Sequence, residues 1–537
     1  MTSSLRDLLE RGATGAPDTI VVSGGGQHLT WSDLHAEARR IAAALARDGV
    51  KPQDRVVFVG KNDPSYFGYL FGCALAGAVP VPLNWRLSAA ELTAMIGDSG
   101  AGIVFTDEAA AKAVEQAEAE LPGLHTVVAL HEHGRWPSLA HWKEAVGADP
   151  AAPVQADDIA FQLYTSGTTG PPKGAMFANG TNLRVLLDDI SVAWGFTLDD
   201  VSLVCMPLFH MGGLAWALAG LARGTRQVIV RDFAPGPVLD TMADEGVTLA
   251  FCVPTMLSAL SAAPPPAAEE AEEAEEAENG AAAAEAGPRP RTLRQMVYSG
   301  APISPTGLRQ AQNALGCDFV QIYGLTEATG AFAQLSAAEH TDPGHPEWLR
   351  SAGRPYPWVE VRAVSPQTGQ DVPTGQVGEI WTRSAQNMAG YWHQPEQTAA
   401  ALTPDGWLRT GDLGYLDQQQ RIYLVDRAKD MIITGGENVY PAEVEKVLAA
   451  YPPLAEAAVI GVPDDRWGET VKAVVVARPG AVVEPAEVIA FCRGQLARFK
   501  CPASVDVVDT LPHTATGKVV KPVLRERYWQ GHDRRIH

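Results

Sequence analysis

Cysteine is scarce and scattered, with six in 537 residues (Cys73, Cys205, Cys252, Cys317, Cys492 and Cys501). None forms a CxxC pair or stands at ligand-like spacing from a histidine. That argues against a disulfide frame or a zinc site and for reduced thiols in a cytoplasmic protein. Long apolar runs are missing too. No stretch approaches the roughly 20 residues of a membrane span, and the start, MTSSLRDLLERG, lacks the basic-then-apolar pattern of a signal peptide. Positive charge is in deficit: 42 Lys and Arg against 63 Asp and Glu leave a net charge of −21. Such a chain repels phosphate backbones and anionic lipid, which argues against nucleic acid and membrane surfaces as main partners. Any anionic ligand must then be captured by local donors.

What is present is enough apolar residue for a large core, 46 % of the chain, and more length than one core sustains, so at least two domains are expected. Leu34, Ala38, Ile41 and Leu45 recur at helical spacing, with Thr30 placed to cap and Gly49 to stop the helix. Ser88 and Glu91 form a capping-box pattern ahead of another helix. Short apolar runs at 56–59, 159–164, 203–206, 249–253 and 319–323 read as buried strands. The alternation predicts an α/β fold, with layered, doubly wound α/β subdomains in a large N-terminal domain and a smaller strand-rich part at about 359–424. From about residue 431 the pattern predicts a compact α+β domain, with Pro441 in the first turn of its opening helix. The segment at about 264–290 is proline, alanine and glutamate without an apolar stripe; it reads as a flexible acidic insertion.

The run YTSGTTGPPKG at 164–174 follows a predicted strand. Its glycines (Gly167, Gly170, Gly174) let backbone N–H groups converge on an anion, Thr165, Ser166, Thr168 and Thr169 add hydroxyls, and Lys173 adds a charge. Most Gly/Ser/Thr loops are ordinary surface turns, but this density of donors suits a triphosphate. It is not a Walker A box, because Gly174 follows the lysine. Downstream, QIYGLTE at 321–327 ends a strand in a tyrosine, a hydroxyl and a carboxylate. Tyr323 can stack on a base, Thr326 can bond a phosphate oxygen, and Glu327 can hold Mg²⁺. WLRTGDLG at 407–414 presents Asp412, read as lying in a tight turn, where a carboxylate could accept from two ribose hydroxyls.

The 164–174 run closely resembles the phosphate-binding signature of the adenylate-forming superfamily, which includes acyl-CoA synthetases, peptide synthetase adenylation domains and firefly luciferase. Further motifs follow in family order, so the resemblance spans the chain apart from the acidic insertion. It implies an N-terminal adenylation domain at 1–426, a hinge at 427–430 around Lys429, and a mobile lid domain at 431–537. It implies nucleotide contacts from the loop, Tyr323 and Gly324, and ribose contacts from Asp412 and Arg427. It further implies that Gly436 lines the tunnel for the pantetheine arm of CoA. LPHTATGK at 511–518 is similar to the catalytic-lysine motif, placing Lys518 between the acid's carboxylate and the α-phosphate. His210, in PLFHMGG, resembles the gate between tunnel and acyl chamber, with Met211, Gly213, Leu214, Gly300, Ala301 and Phe332 as lining candidates.

The implied reaction uses ATP and Mg²⁺ to convert a carboxylic acid to an acyl-AMP, which then passes its acyl group to the thiol of CoA. An amine or a carrier-protein thiol are rival acceptors. An amino-acid activator needs a carboxylate near Phe209 and His210 to pair the substrate's ammonium, and none is present there, so an α-amino acid is not expected as the activated acid. A medium-chain, aryl or polycyclic acid suits the apolar candidates. Many members of the family carry Thr-His where this chain has Ala178 and Asn179, which puts pocket shape or rate in question. The protein is expected to act as a monomer or homodimer.

Overall fold

The computed structural model describes residues 4–144, 153–165, 172–263, 292–301, 303, 305–427, 430–434, 437–464, 467–514 and 517–530. The acidic insertion expected at 264–290 lies outside them. The chain divides into two compact units, Met1–Leu349 with Arg383–Leu408, and Arg350–Thr382 with Arg409–His537.

The first unit is layered α/β. The helix Trp31–Arg47 begins where Thr30 and Asp33 exchange side-chain and backbone bonds in a capping box. Its stripe of Leu34, Ala38, Ile41 and Leu45 is wholly buried. Burial of each leucine or isoleucine there contributes about 1.5–3 kcal/mol. The expected capping box at Ser88 and Glu91 opens the helix Ala89–Ser99. Four parallel strands stand in the order Val79–Leu83, Arg55–Val59, Ile103–Thr106, Thr126–Ala129, a doubly wound arrangement.

A longer mixed sheet runs from Gly330–Leu335 through Asp318–Leu325, Gln295–Tyr298, Leu249–Cys252, Val201–Val204 and Arg226–Ile229 to Ile20–Gly24 and Gln27–Thr30. Its interior pairs are parallel, and antiparallel partners close both of these ends. The buried faces of Leu203, Ala250, Met296 and Phe319 join one core with the covering helices.

The apolar run at 159–164 behaves differently from the other strands. It forms Ile159–Thr165, which turns back antiparallel onto Lys173–Ala178, with Gly390–Tyr391 added on the far side. The seven residues between the two strands in sequence are too few for the helical crossover that a parallel partner needs.

The second unit holds two sheets. One has the order Glu360–Val364, Gly378–Arg383, Leu408–Leu416, Ile422–Arg427. The other joins Glu437–Val439, Ile432–Thr434, Gly468–Ala477 and Leu454–Asp464, with Ser504–Val507 parallel to Gly468–Ala477. Helices Pro441–Leu448 and Pro485–Arg493 supply Val444, Leu448 and Val488 to its core, so this part is α+β as expected. Arg525, on the helix Lys521–Trp529, pairs with Asp430 at 2.7 Å, both side chains largely buried. Among the described residues no helix is long and apolar enough to cross a membrane.

Candidate active site

In the first unit, the hairpin registers Thr165 opposite Lys173. The two ends of the glycine-rich loop are therefore neighbours. Ser166, Gly167, Thr168, Thr169 and Gly170 lie outside the described residues. Lys173 donates from Nζ to Gln397 Oε1 at 2.9 Å and stands 5.1 Å from the ring centroid of Tyr391. Tyr391 donates its hydroxyl to Glu327 Oε1 at 2.9 Å. A lysine and a carboxylate far apart in sequence thus meet at one aromatic side chain. Burial, followed by the charge of Glu327, pushes the Tyr391 phenol well above its ordinary pKa, so it remains a donor.

Glu327 sits in the single turn Thr326–Ala328 that follows the strand Asp318–Leu325. That turn is held from outside. Met388 N donates to Glu327 O at 2.7 Å, and the wholly buried Gln386 donates to Ala328 O at 2.7 Å and Ala331 O at 2.8 Å. Thr329 takes φ +52, rare for a residue with a Cβ, and its hydroxyl donates to Gln386 O at 2.5 Å. The register shift between Tyr323 and Gly324 brings the backbones so close that a Cβ on Gly324 would lie 1.8 Å from Gly330 O. Only glycine fits. Tyr323 is nearly buried, its ring 4.7 Å from that of Phe332 and edge-on to it.

His210 occupies the cap position of the helix Met211–Ala222, with its ring 5.0 Å from that of Phe209. Met211 and Leu214 are buried on that helix, which packs against the strand carrying Phe332. Gly213 lets the helix press on the preceding loop: a Cβ there would stand 2.2 Å from Pro207 O. Gly300, at φ +92, and Ala301 follow the strand Gln295–Tyr298 and are exposed. Asn179, at the position where a histidine is common, is buried and turns its amide to Asp158 O at 3.1 Å. Arg55 lies 3.3 Å from the Trp392 ring centroid, beside Tyr391, and burial lowers its guanidinium pKa to about 10.

In the second unit, Asp412 is not in a tight turn. It stands within the strand Leu408–Leu416, 8 % exposed, with Arg427 as its direct cross-strand partner. The glycine before it takes φ +72, and a register shift follows at Leu413 and Gly414, so bulged strand geometry replaces the turn suggested by the Gly-Asp pair. Lys518 is exposed, and its N–H donates to Thr514 Oγ1 at 3.1 Å. Lys429 and Gly436 lie outside the described residues.

The structure therefore gathers Lys173 and Glu327 at Tyr391, and Asp412 with Arg427. Tyr391, Gln386 and Gln397 were not singled out in the sequence. Their partners lie tens to hundreds of positions away, and no local spacing marks them.

The family model of AMP-binding enzymes matches residues 9–392, and that of the AMP-binding enzyme C-terminal domain matches 443–518. The fatty acid–[acyl-carrier-protein] ligase ScoC of Streptomyces coeruleorubidus is 39 % identical over 526 residues, covering 97 % of this chain and 96 % of that protein. A feruloyl-CoA synthase of Amycolatopsis sp is 39 % identical over 520 residues, covering 96 % and 98 %. Among solved structures, ATP-bound MatB from Rhodopseudomonas palustris matches with a TM-score of 0.84 at 31 % identity, over 99 % of this chain and 100 % of that one. The chain belongs to the AMP-binding, adenylate-forming enzyme family.

Proposed function

We propose that this protein is an AMP-forming acid–thiol ligase that activates a carboxylic acid with ATP and transfers the acyl group to CoA. The observation that carries the reading is the meeting of Lys173 and Glu327 at Tyr391, beside the ends of the glycine-rich loop. A cation and a carboxylate held together at that loop suit a nucleotide's phosphates and their counter-ion. Among the described residues no group of three or more His, Cys, Asp or Glu is placed to hold a metal. A single carboxylate completed by phosphate oxygens and water fits Mg²⁺, which dehydrates reluctantly and favours substrate phosphates. Glu327 would hold it, and when bound it would neutralise phosphate charge.

In the first step a carboxylate oxygen of the acid bonds to the α-phosphorus, and the bond from that phosphorus to pyrophosphate breaks. The protein supplies no nucleophile; its work is positioning and charge compensation. Lys173 and the loop around it bind phosphate oxygens, Thr326 adds a hydroxyl, and Tyr323 with Gly324 flanks the base. Asp412 accepts from the ribose with Arg427 beside it, and Lys518 bridges the carboxylate and the α-phosphate. In the second step the CoA sulfur bonds to the acyl carbon, the bond to AMP oxygen breaks, and the thiol proton passes to solvent. Between the two steps the hinge at Lys429 serves to exchange Lys518 for Gly436, and His210 stands between tunnel and acyl chamber. With Met211, Leu214 and Phe332 apolar, a medium-chain, aryl or polycyclic acid suits the chamber, and such a pocket separates methylenes only weakly. Six free cysteines, five of them buried, suit the cytoplasm.

The likeness to a protein named as an acyl-carrier-protein ligase favours a carrier thiol as the second reading. Enzyme, ATP, Mg²⁺ and a panel of acids should release pyrophosphate only when a matching acid is present. Adding CoA should then yield thioester. Thioester on a carrier protein but not on CoA would move the acceptor to the second reading, and amide formation without thioester would overturn both.

A further inference from the structure

The loop that delivers His210 is held by a residue 148 positions earlier in the chain, in the turn after the strand Arg55–Val59. Asn62 is 7 % exposed. Its Oδ1 accepts from Leu208 N at 2.9 Å, and its Nδ2 donates to Met206 O at 3.0 Å and Val230 O at 3.2 Å. Tyr66 donates to Leu208 O at 3.5 Å, and His210 N donates to Pro207 O at 3.1 Å. The successive backbone groups Met206 O, Pro207 O, Leu208 N and Leu208 O are thus all bonded, two of them by one amide. A loop held at these points has little freedom to rotate, and the residue it presents at the helix cap inherits its direction. From the other side, the close approach of Gly213 to Pro207 O leaves the loop no room to slide along the helix.

We propose that Asn62 is a positioning residue for the thioester-forming step. It fixes the 206–210 loop and so aims the His210 ring. This rests on the reading of His210 as the gate between the acyl chamber and the incoming thiol. A side chain that only braced the fold would affect both half-reactions alike. A side chain that aims His210 affects thiol transfer more, and only while the histidine is present.

The test uses the full chain with Asn62→Ala, His210→Ala and the double variant, each checked for folding by thermal melting. Acid-dependent ATP–pyrophosphate exchange reads the first step, and thioester formation from preformed acyl-AMP and CoA reads the second. Asn62→Ala should slow the second step about tenfold more than the first, as a small misplacement near reacting groups does. In the His210→Ala background the same change should slow it less than about twofold, the non-additivity expected of residues acting as one unit. A further readout needs no turnover. Modification of His210 by diethyl pyrocarbonate, mapped by mass spectrometry, should accelerate about fivefold in Asn62→Ala, while the exposed His141 reacts as before. Equal slowing of both half-reactions, independent effects in the double variant, or an unaltered His210 modification rate would each overturn the proposal. Wild-type protein that exchanges no pyrophosphate with any acid would instead defeat the reading of the function, and the modification rate would still judge Asn62's hold on the loop.

Discussion

Tyr391 serves two neighbours with different parts of one side chain: its hydroxyl bonds Glu327 and its ring lies near the Lys173 ammonium. The two functions separate by substitution. Tyr391→Phe keeps the ring and deletes a hydrogen bond to a carboxylate. Such a bond contributes about 1.5–3 kcal/mol, so the KM for MgATP should rise about tenfold or more, with a smaller change in the KM for the acid. Steady-state titrations of both substrates check this. Lys518, by contrast, is assigned to the transition state of the first step. Lys518→Ala should slow pyrophosphate exchange by about 10²–10³, the cost of removing one preorganised charge-stabilising donor. Thioester formation from preformed acyl-AMP should fall far less. Equal losses in the two steps would remove the lysine from its assigned place.

At the scale of elements, the long sheet is tied at one end of its parallel strands by Asp200. Arg294 approaches it as a fork, Nε to Oδ1 at 2.8 Å and the terminal nitrogen to Oδ2 at 2.7 Å, and Thr248 and Thr197 donate to the same carboxylate. Burial raises the pKa of Asp200, but the bonds from Arg294, Thr248 and Thr197 outweigh it and hold it at about 2, below the usual 3.8. Because the folded-state pKa is the lower one, the stabilisation is complete above the unfolded value and fades as pH falls through about 4 toward 2. Asp200→Asn should therefore cost about 1–2 kcal/mol near neutral pH, because Asp200 is buried but its partner Arg294 is exposed to solvent, which screens the charge. Urea denaturation across pH should show the gap between wild type and variant closing in the acid range. A gap that stays constant down to pH 2 would assign the cost to packing instead.

These elements also show where sequence reasoning reached and where it stopped. Periodicity and caps are local, so the stripe from Leu34 to Leu45 and the capping boxes at Thr30 and Ser88 could be read directly. Pairing partners are not local. The apolar run at 159–164 reads as a buried strand and is one, but its antiparallel pairing with Lys173–Ala178 does not follow from its own residues. Asp412, beside a glycine, looked like a turn residue, yet strand pairing with Ile422–Arg427 claimed it. Within the site, the motif residues Lys173 and Glu327 were legible because each sits in a dense run of functional side chains. Tyr391 and Gln386 were not, since each draws its meaning from contacts that only the fold creates.

For the whole molecule, two units carry the proposed groups, Lys173 and Glu327 in the first and Asp412 and Lys518 in the second. The proposed first step, attack of a carboxylate oxygen on the α-phosphorus, can be followed atom by atom. With an acid labelled with ¹⁸O in its carboxylate, a full turnover with ATP and CoA should leave one labelled oxygen in AMP and none in pyrophosphate. AMP that carries no label, or label found in orthophosphate alongside ADP, would contradict it.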